Sequence, residues 1–291
     1  MKNFLSSSPT HRTCFRHASL AVLAAAAGTM SASADLAFET ETARVIEQGK
    51  WQLSSAFEFQ FGSSGKEYAF PLAIEYGLFK DFEILLEPVP YVSVHPKGEK
   101  SIGGVGDTEL TLNYLVVHEQ RVLPAISLAG EVKFPTARKL QLGSGEFDYR
   151  IFLAASKRIG PVDLHANVGY NIIGSPPGVN TRNPLDLAFA AEWFVNKDFD
   201  LYAEVTYQGT SLGSTKGGSA GGDAGDGATT TSAQDAKGAS ESSLTPEVGG
   251  KVVVGTAGVR WHATEAVDVF SSFSFDNSHD KLLRFGMSVK F

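Results

Sequence analysis

Eighteen ionisable side chains fall at alternate positions along the chain, a spacing that suits a polar wall better than a compact catalytic centre. The acids are Glu58, Glu75, Glu83, Glu87, Glu109, Glu131, Asp148, Asp163, Asp186, Glu192, Asp200, Glu204 and Asp268; the bases are Lys133, Arg150, Arg260, Arg284 and Lys290. An excess of carboxylates along a lumen favours cations and neutral solutes over anions. The same residues allow another arrangement, in which Lys133, Arg150, Arg260 and Arg284 pair with Glu58, Glu131, Glu192 or Glu204 and close the interior. The small inward positions Ala56, Ala73, Ala129, Ala188, Ala190, Gly169 and Gly286 leave room and favour a conducting lumen.

Other chemistries find less support. His165 shares a face with Asp163 and Asn167, residue types that a Ser-His-acid site acting on lipids or surface polymers would use. The serines in the apolar sets, Ser55 and Ser271, have no histidine beside them, and His165 reads as one more polar wall residue. His95, His118, His262 and His279 lack metal-ligand spacing, so no metal and no cofactor are expected. Gly103-Gly104-Val105-Gly106 is followed by neither Lys-Ser/Thr nor a helix, unlike a phosphate loop. Acidic charge with scattered bases gives no nucleic-acid footprint.

A two-residue period positions the wall residues. Trp51, Leu53, Ser55, Phe57, Phe59 and Phe61 interleave with Gln52, Ser54, Ala56, Glu58 and Gln60, a pattern of strands with two unlike faces. The pattern recurs to the last residue and predicts twelve strands, whose apolar sets contain no Asp, Glu, Lys or Arg. Aromatics mark both ends of the apolar face: Trp51, Tyr76, Phe82, Tyr114, Trp193, Phe199, Trp261 and Phe291 at one, Phe61, Phe70, Tyr149, Tyr170, Tyr207 and Phe275 at the other. Such girdles belong to a barrel whose apolar face meets lipid. Short connections alternate with long ones (62–68, 88–108, 135–147, 174–184, 209–252 and 276–282), as periplasmic turns alternate with extracellular loops. The expected fold is an all-β, twelve-stranded antiparallel transmembrane outer-membrane β-barrel.

The chain of 291 residues has a net charge of −7 and one cysteine. Lys2, Arg12 and Arg16, an apolar stretch at 20–28, and Ala32-Ser33-Ala34 have the parts of a cleaved signal peptide over 1–34. Cleavage would remove Cys14 and three bases, taking the charge to −10. Residues 35–50 then read as a periplasmic lead-in and 51–291 as the barrel. Residues 209–250, rich in Gly, Ser, Thr, Ala and Asp, read as a flexible extracellular loop.

Several motifs carry a resemblance. Tyr76-Gly77-Leu78-Phe79-Lys80-Asp81-Phe82-Glu83 is similar to a strand-turn-strand of outer-membrane proteins. Gly104-Val105-Gly106-Asp107-Thr108-Glu109-Leu110 with Tyr114, and Lys133-Phe134-Pro135-Thr136, resemble the outer-membrane family linked to meta-pathway phenol degradation. Phe285, Met287, Val289 and the terminal Phe291 look like the signal read by the bacterial barrel-assembly machinery. The resemblance covers 51–291, apart from the long loop near 209–250. It implies a transporter-like barrel passing small, often hydrophobic or aromatic, molecules, and brings no set of functional residues. The expected partners are outer-membrane lipid, the assembly machinery and a small solute. The alternative is a non-conducting structural or adhesive barrel.

Overall fold

The computed structural model describes residues 37–139, 141–176, 180–211 and 251–291. The signal segment 1–34 and the tract 212–250 lie outside the described residues. Strands β1 (Trp51–Phe61), β2 (Gly65–Phe70), β3 (Leu72–Phe79), β4 (Phe82–Pro88), β5 (Tyr91–Pro96), β6 (Ile102–Gly104), β7 (Thr108–Val117) and β8 (Ala125–Phe134) build the first half. The second half holds β9 (Asp148–Ile159), β10 (Val162–Ile172), β11 (Leu185–Phe194), β12 (Phe199–Gln208), β13 (Val252–His262), β14 (Val267–Asp276) and β15 (Lys281–Lys290). Every ladder is antiparallel, and β15 returns to pair with β1 from Gln52 opposite Lys290 to Phe61 opposite Lys281, closing the sheet.

Three wall strands are broken in two, so the fifteen segments form a twelve-stranded wall. β2 and β3 divide at Pro71, which has no N–H to give the ladder, and β1 pairs with both. Likewise β4 continues into β5 and β6 into β7. The stretch 88–108, expected as one long loop, is therefore largely the hairpin β5–β6. It lacks the apolar–polar alternation of the other strands, since its inward positions carry Val92 and Val94 instead of polar residues. They are apolar because Leu142, from the loop 135–147, packs into the barrel mouth against Val92, Val89 and Ala69.

The alternation follows the predicted faces. In β1, Gln52, Ser54, Ala56, Glu58 and Gln60 are buried, whereas Trp51, Leu53 and Phe57 are 47%, 43% and 47% exposed. Apolar side chains outside and polar ones inside invert a water-soluble barrel and match a wall standing in lipid. Adjacent aromatics reinforce the short-turn rim, with Trp51 and Tyr76 stacked 4.2 Å apart. That rim carries the connections 80–81, 118–124, 160–161, 195–198 and 263–266, and the other carries 62–64, 97–101, 277–280 and the described residues that follow β8, β10 and β12. Phe285 and Met287 lie exposed on the outer face of the closing strand, and Phe291, just after it, is exposed as well.

Candidate functional site

The segment before β1 does not lie outside the barrel. Residues expected as a periplasmic lead-in enter at the short-turn rim, where Gln48 bridges Gly77 in parallel, and cross the lumen toward the opposite wall. Ile46 N–H donates to Glu83 Oε2 at 2.6 Å, and Ala43 N–H to Ser156 Oγ at 2.9 Å. Glu41 and Asn167 exchange two bonds, main-chain N–H to Oδ1 at 2.6 Å and Nδ2–H to the carbonyl at 2.8 Å. Further in, Glu204 Oε2 accepts from the N–H of Glu39 and from the N–H and hydroxyl of Thr40, at 2.9, 2.7 and 2.6 Å. A segment without a sheet ladder of its own thus gives its backbone donors to wall side chains, as burial requires.

Small residues make the space for it. Ala43 packs against Leu115, Ala125, Ala129, Phe152 and Ala154, and Ala37 against Ala56, Tyr202 and Phe270. The inward glycines receive neighbouring side chains and do not open a void: a Cβ on Gly286 would lie 2.2 Å from Phe270, and one on Gly169 2.4 Å from Asp186. The room expected from Ala56, Ala129, Gly169 and Gly286 is thus filled by chain. Leu142 and Ser144 occupy the lumen from the long-loop side, with Lys133 Nζ donating to Ser144 Oγ at 3.1 Å.

The predicted wall residues all face inward, and most are brought together. Arg284 joins Glu58 at 2.6 Å and Glu39, from the inserted segment, at 2.5 Å. Arg150 spans Asp186 at 2.7 Å and Glu131 at 3.5 Å. Arg260 pairs with Glu192, and Lys133 with Asp148. Glu75 accepts from Gln52 Nε2 at 3.0 Å, and Glu109 lies between Glu87 and Lys133 in register. The pairings expected for a closed interior therefore form at Glu58, Glu131 and Glu192, while Glu204 binds Thr40 instead. Near the short-turn rim, His262 bridges Asp200 at 2.6 Å and Asp268 at 2.7 Å.

His165 Nδ1 lies 2.9 Å from Ser156 Oγ, a pair that sequence spacing did not reveal because the serine is on β9. Among the described residues His165 makes no hydrogen bond to a carboxylate; Asp163 pairs with Arg44, and Ser156 also meets the Thr42 hydroxyl and the Ala43 N–H. Among the described residues no group of His, Cys, Asp and Glu has a geometry to hold a metal ion.

The residues missed in the sequence are those of the insert: Glu39, Thr40, Glu41, Thr42 and Arg44. Arg44 fastens it, with Nη1 donating to Asp163 at 2.7 Å and Nη2 to Glu119 at 2.6 Å. In the turn carrying Glu119, burial pushes its carboxyl up, but hydrogen bonds from Arg44, the Arg158 N–H and Lys157 outweigh that and hold it below the usual range.

The model of the family described as "Putative MetA-pathway of phenol degradation" matches residues 24–239. No curated protein matches the chain in sequence. Among solved structures, an outer membrane channel from Pseudomonas putida F1 superposes with a TM-score of 0.57 at 12% identity, covering 85% of this chain and 97% of that one. The NanC porin gives a TM-score of 0.55 at 10% identity over 82% of this chain and 100% of that one. The KdgM porin in complex with disordered oligogalacturonate gives 0.51 at 11% identity over 82% and 99%. These likenesses establish the outer-membrane porin fold.

Proposed function

The chain belongs to the family matched over residues 24–239, and from that premise we propose that it is an outer-membrane channel for small molecules whose path is narrowed by its own N-terminal segment. The observation that carries this reading is a closed barrel with an apolar outer wall and a charged inner wall, crossed by a segment tied to side chains and not woven into the sheet. Solutes pass beside the segment or when it withdraws. Glu75, Glu109 and the other inward acids outnumber the inward bases, so the path prefers cations and neutral solutes. The family description points to phenolic compounds, and small aromatic molecules are the proposed cargo.

Single-channel recording of the refolded chain in planar bilayers tests this, beside a variant lacking residues 35–46. A cation-preferring conductance that grows on deletion supports the channel. Silence from both folded proteins would sink it. The second reading, a non-conducting structural barrel, has support from Leu142 and the N-terminal segment occupying the lumen from opposite ends. Swelling of vesicles in phenol or catechol, measured against a sugar of similar mass, tests the cargo.

A further inference from the structure

On the outer face of the long-loop rim, three bases and one aromatic ring form a row across four neighbouring strands. His95 on β5 lies opposite Lys66 on β2, Lys66 opposite Phe61 on β1, and Phe61 opposite Lys281 on β15. All point away from the lumen, since they share the phase of Phe59, Tyr68 and Leu283. The row borders a cavity of about 450 Å³, which Lys97 and His279 complete from the adjoining turns and whose lining holds no Asp or Glu. The Lys97 N–H donates to Ser64 O at 2.9 Å, tying its turn to the β1–β2 turn.

The wall beside the cavity is braced by side-chain contacts and its lysines are exposed. His95 is held by Ser93 at 3.0 Å and Ser101 at 2.7 Å, and its ring meets Tyr68 edge-on at 5.5 Å. Lys281 lies 5.9 Å from the Phe61 ring centre. Among the described residues, Lys66, Lys97 and Lys281 form no ion pair with a carboxylate, and all three are exposed. The nearby acids turn elsewhere: Glu67 shares the inward phase of Gln60, and Asp280 is buried, accepting from the Ser63 N–H at 3.2 Å. Glu99, in the turn that carries Lys97, lies outside the lining. Just below the row, Phe59 and Tyr68 stack 4.9 Å apart on the lipid-facing surface.

Aromatic rings on an outward face mark the depth where acyl chains meet headgroups, and lysines beyond them reach the headgroup layer. We propose that this cavity binds a phosphate group on the headgroup of an outer-leaflet glycolipid, with Lys66, Lys97 and Lys281 on the phosphate and an acyl chain along Phe59 and Tyr68. The proposal rests on reading the long-loop rim as the outer face. Three lysines that line one cavity and form no ion pair among the described residues complement a phosphate, and their place beside lipid-facing aromatics selects a membrane source over a free ion.

Native mass spectrometry of the refolded full chain in detergent, titrated with phosphorylated lipid A, its enzymatically dephosphorylated form and inorganic phosphate, tests the site. The expected result is retention of the phosphorylated lipid alone. In the triple variant Lys66→Ala, Lys97→Ala, Lys281→Ala, retention should weaken on the order of a hundredfold, for three surface lysines. Equal binding of the dephosphorylated lipid, full competition by inorganic phosphate, or an unaffected triple variant would each overturn the proposal. The dephosphorylated lipid makes the comparison on the unmutated protein, so it stands even if the variant folds poorly. Bilayer conductance of the same samples separates the two readings: a silent barrel that retains the lipid fails as a channel and keeps this site, and a conducting barrel without lipid does the reverse.

Discussion

Arg284 and Lys281 stand three residues apart on β15, on opposite faces of the wall. The Arg284 side chain is 6% exposed and clamped between Glu58 on β1 and Glu39 in the inserted segment. Lys281 is exposed beside Phe61 with no carboxylate partner among the described residues. The lumen as a whole follows Arg284, with Arg150, Arg260, Lys133 and Arg44 all tied to acids. The outer rim follows Lys281. A cation removed from water must be paired or it costs several kcal/mol, so inside the barrel charge becomes structure. At the rim water screens the charge, pairing gains little, and the cation stays available to a partner.

This contrast can be broken from either side. The largest effect is expected for Arg284→Ala, which strands Glu58 and Glu39 and should cost about 3–5 kcal/mol. Urea titration of the refolded barrel, followed by heat-modifiable gel mobility, reads the loss; an effect below about 1 kcal/mol would mean the pair is not desolvated. Arg44→Ala should act on the insert more than on the wall. It removes charged hydrogen bonds worth about 1.5–3 kcal/mol each and should raise conductance and the protease sensitivity of residues 37–46. Unchanged traces would show that the segment is held without it.

A pH titration sharpens the comparison at a lower energy. Against the upward push of burial, hydrogen bonds from Arg44, the Arg158 N–H and Lys157 hold the Glu119 carboxyl below its ordinary 4.5 while the segment is inserted. The inserted state therefore favours the ionised Glu119, so its anchor is fully present above about 4.5 and weakens as pH falls below that value. Conductance should climb as the solution is made more acidic in the natural protein and lie flatter in Glu119→Gln. The smallest effect is expected for Lys281→Ala, within about 0.5 kcal/mol of the natural protein in the same urea titration. A loss as large as that of Arg284→Ala would erase the distinction between lumen and rim.

Much of the wall was readable residue by residue. The alternation around Phe57 and Glu58 assigns their faces without any tertiary information, because a strand turns successive side chains to opposite sides. The pairing partners Arg284 with Glu58 and Arg260 with Glu192 were among the possibilities, but the seam that joins β15 to β1 brings the first pair together across 226 positions. The lumen's occupant was not readable. Residues 37–46 have no periodic signature, and Ala56 or Gly286 in a sequence cannot say whether the space they leave holds water, a side chain or a strand of backbone. The stretch 88–108 was misjudged for a related reason: Val92 and Val94 face inward onto Leu142, so the polar-inside rule fails where a loop caps the mouth.

By itself the sequence determined a twelve-stranded wall, its lipid-facing and inward sides and the short-turn rim, since each follows from a local two-residue period and turn chemistry. Only the tertiary structure decided that the N-terminal segment fills part of the lumen, that the inward bases are consumed in pairs, and that Lys66, Lys97 and Lys281 line one cavity outside. Those facts depend on closure of the sheet, which sets distant residues side by side according to register, and no local pattern encodes that proximity.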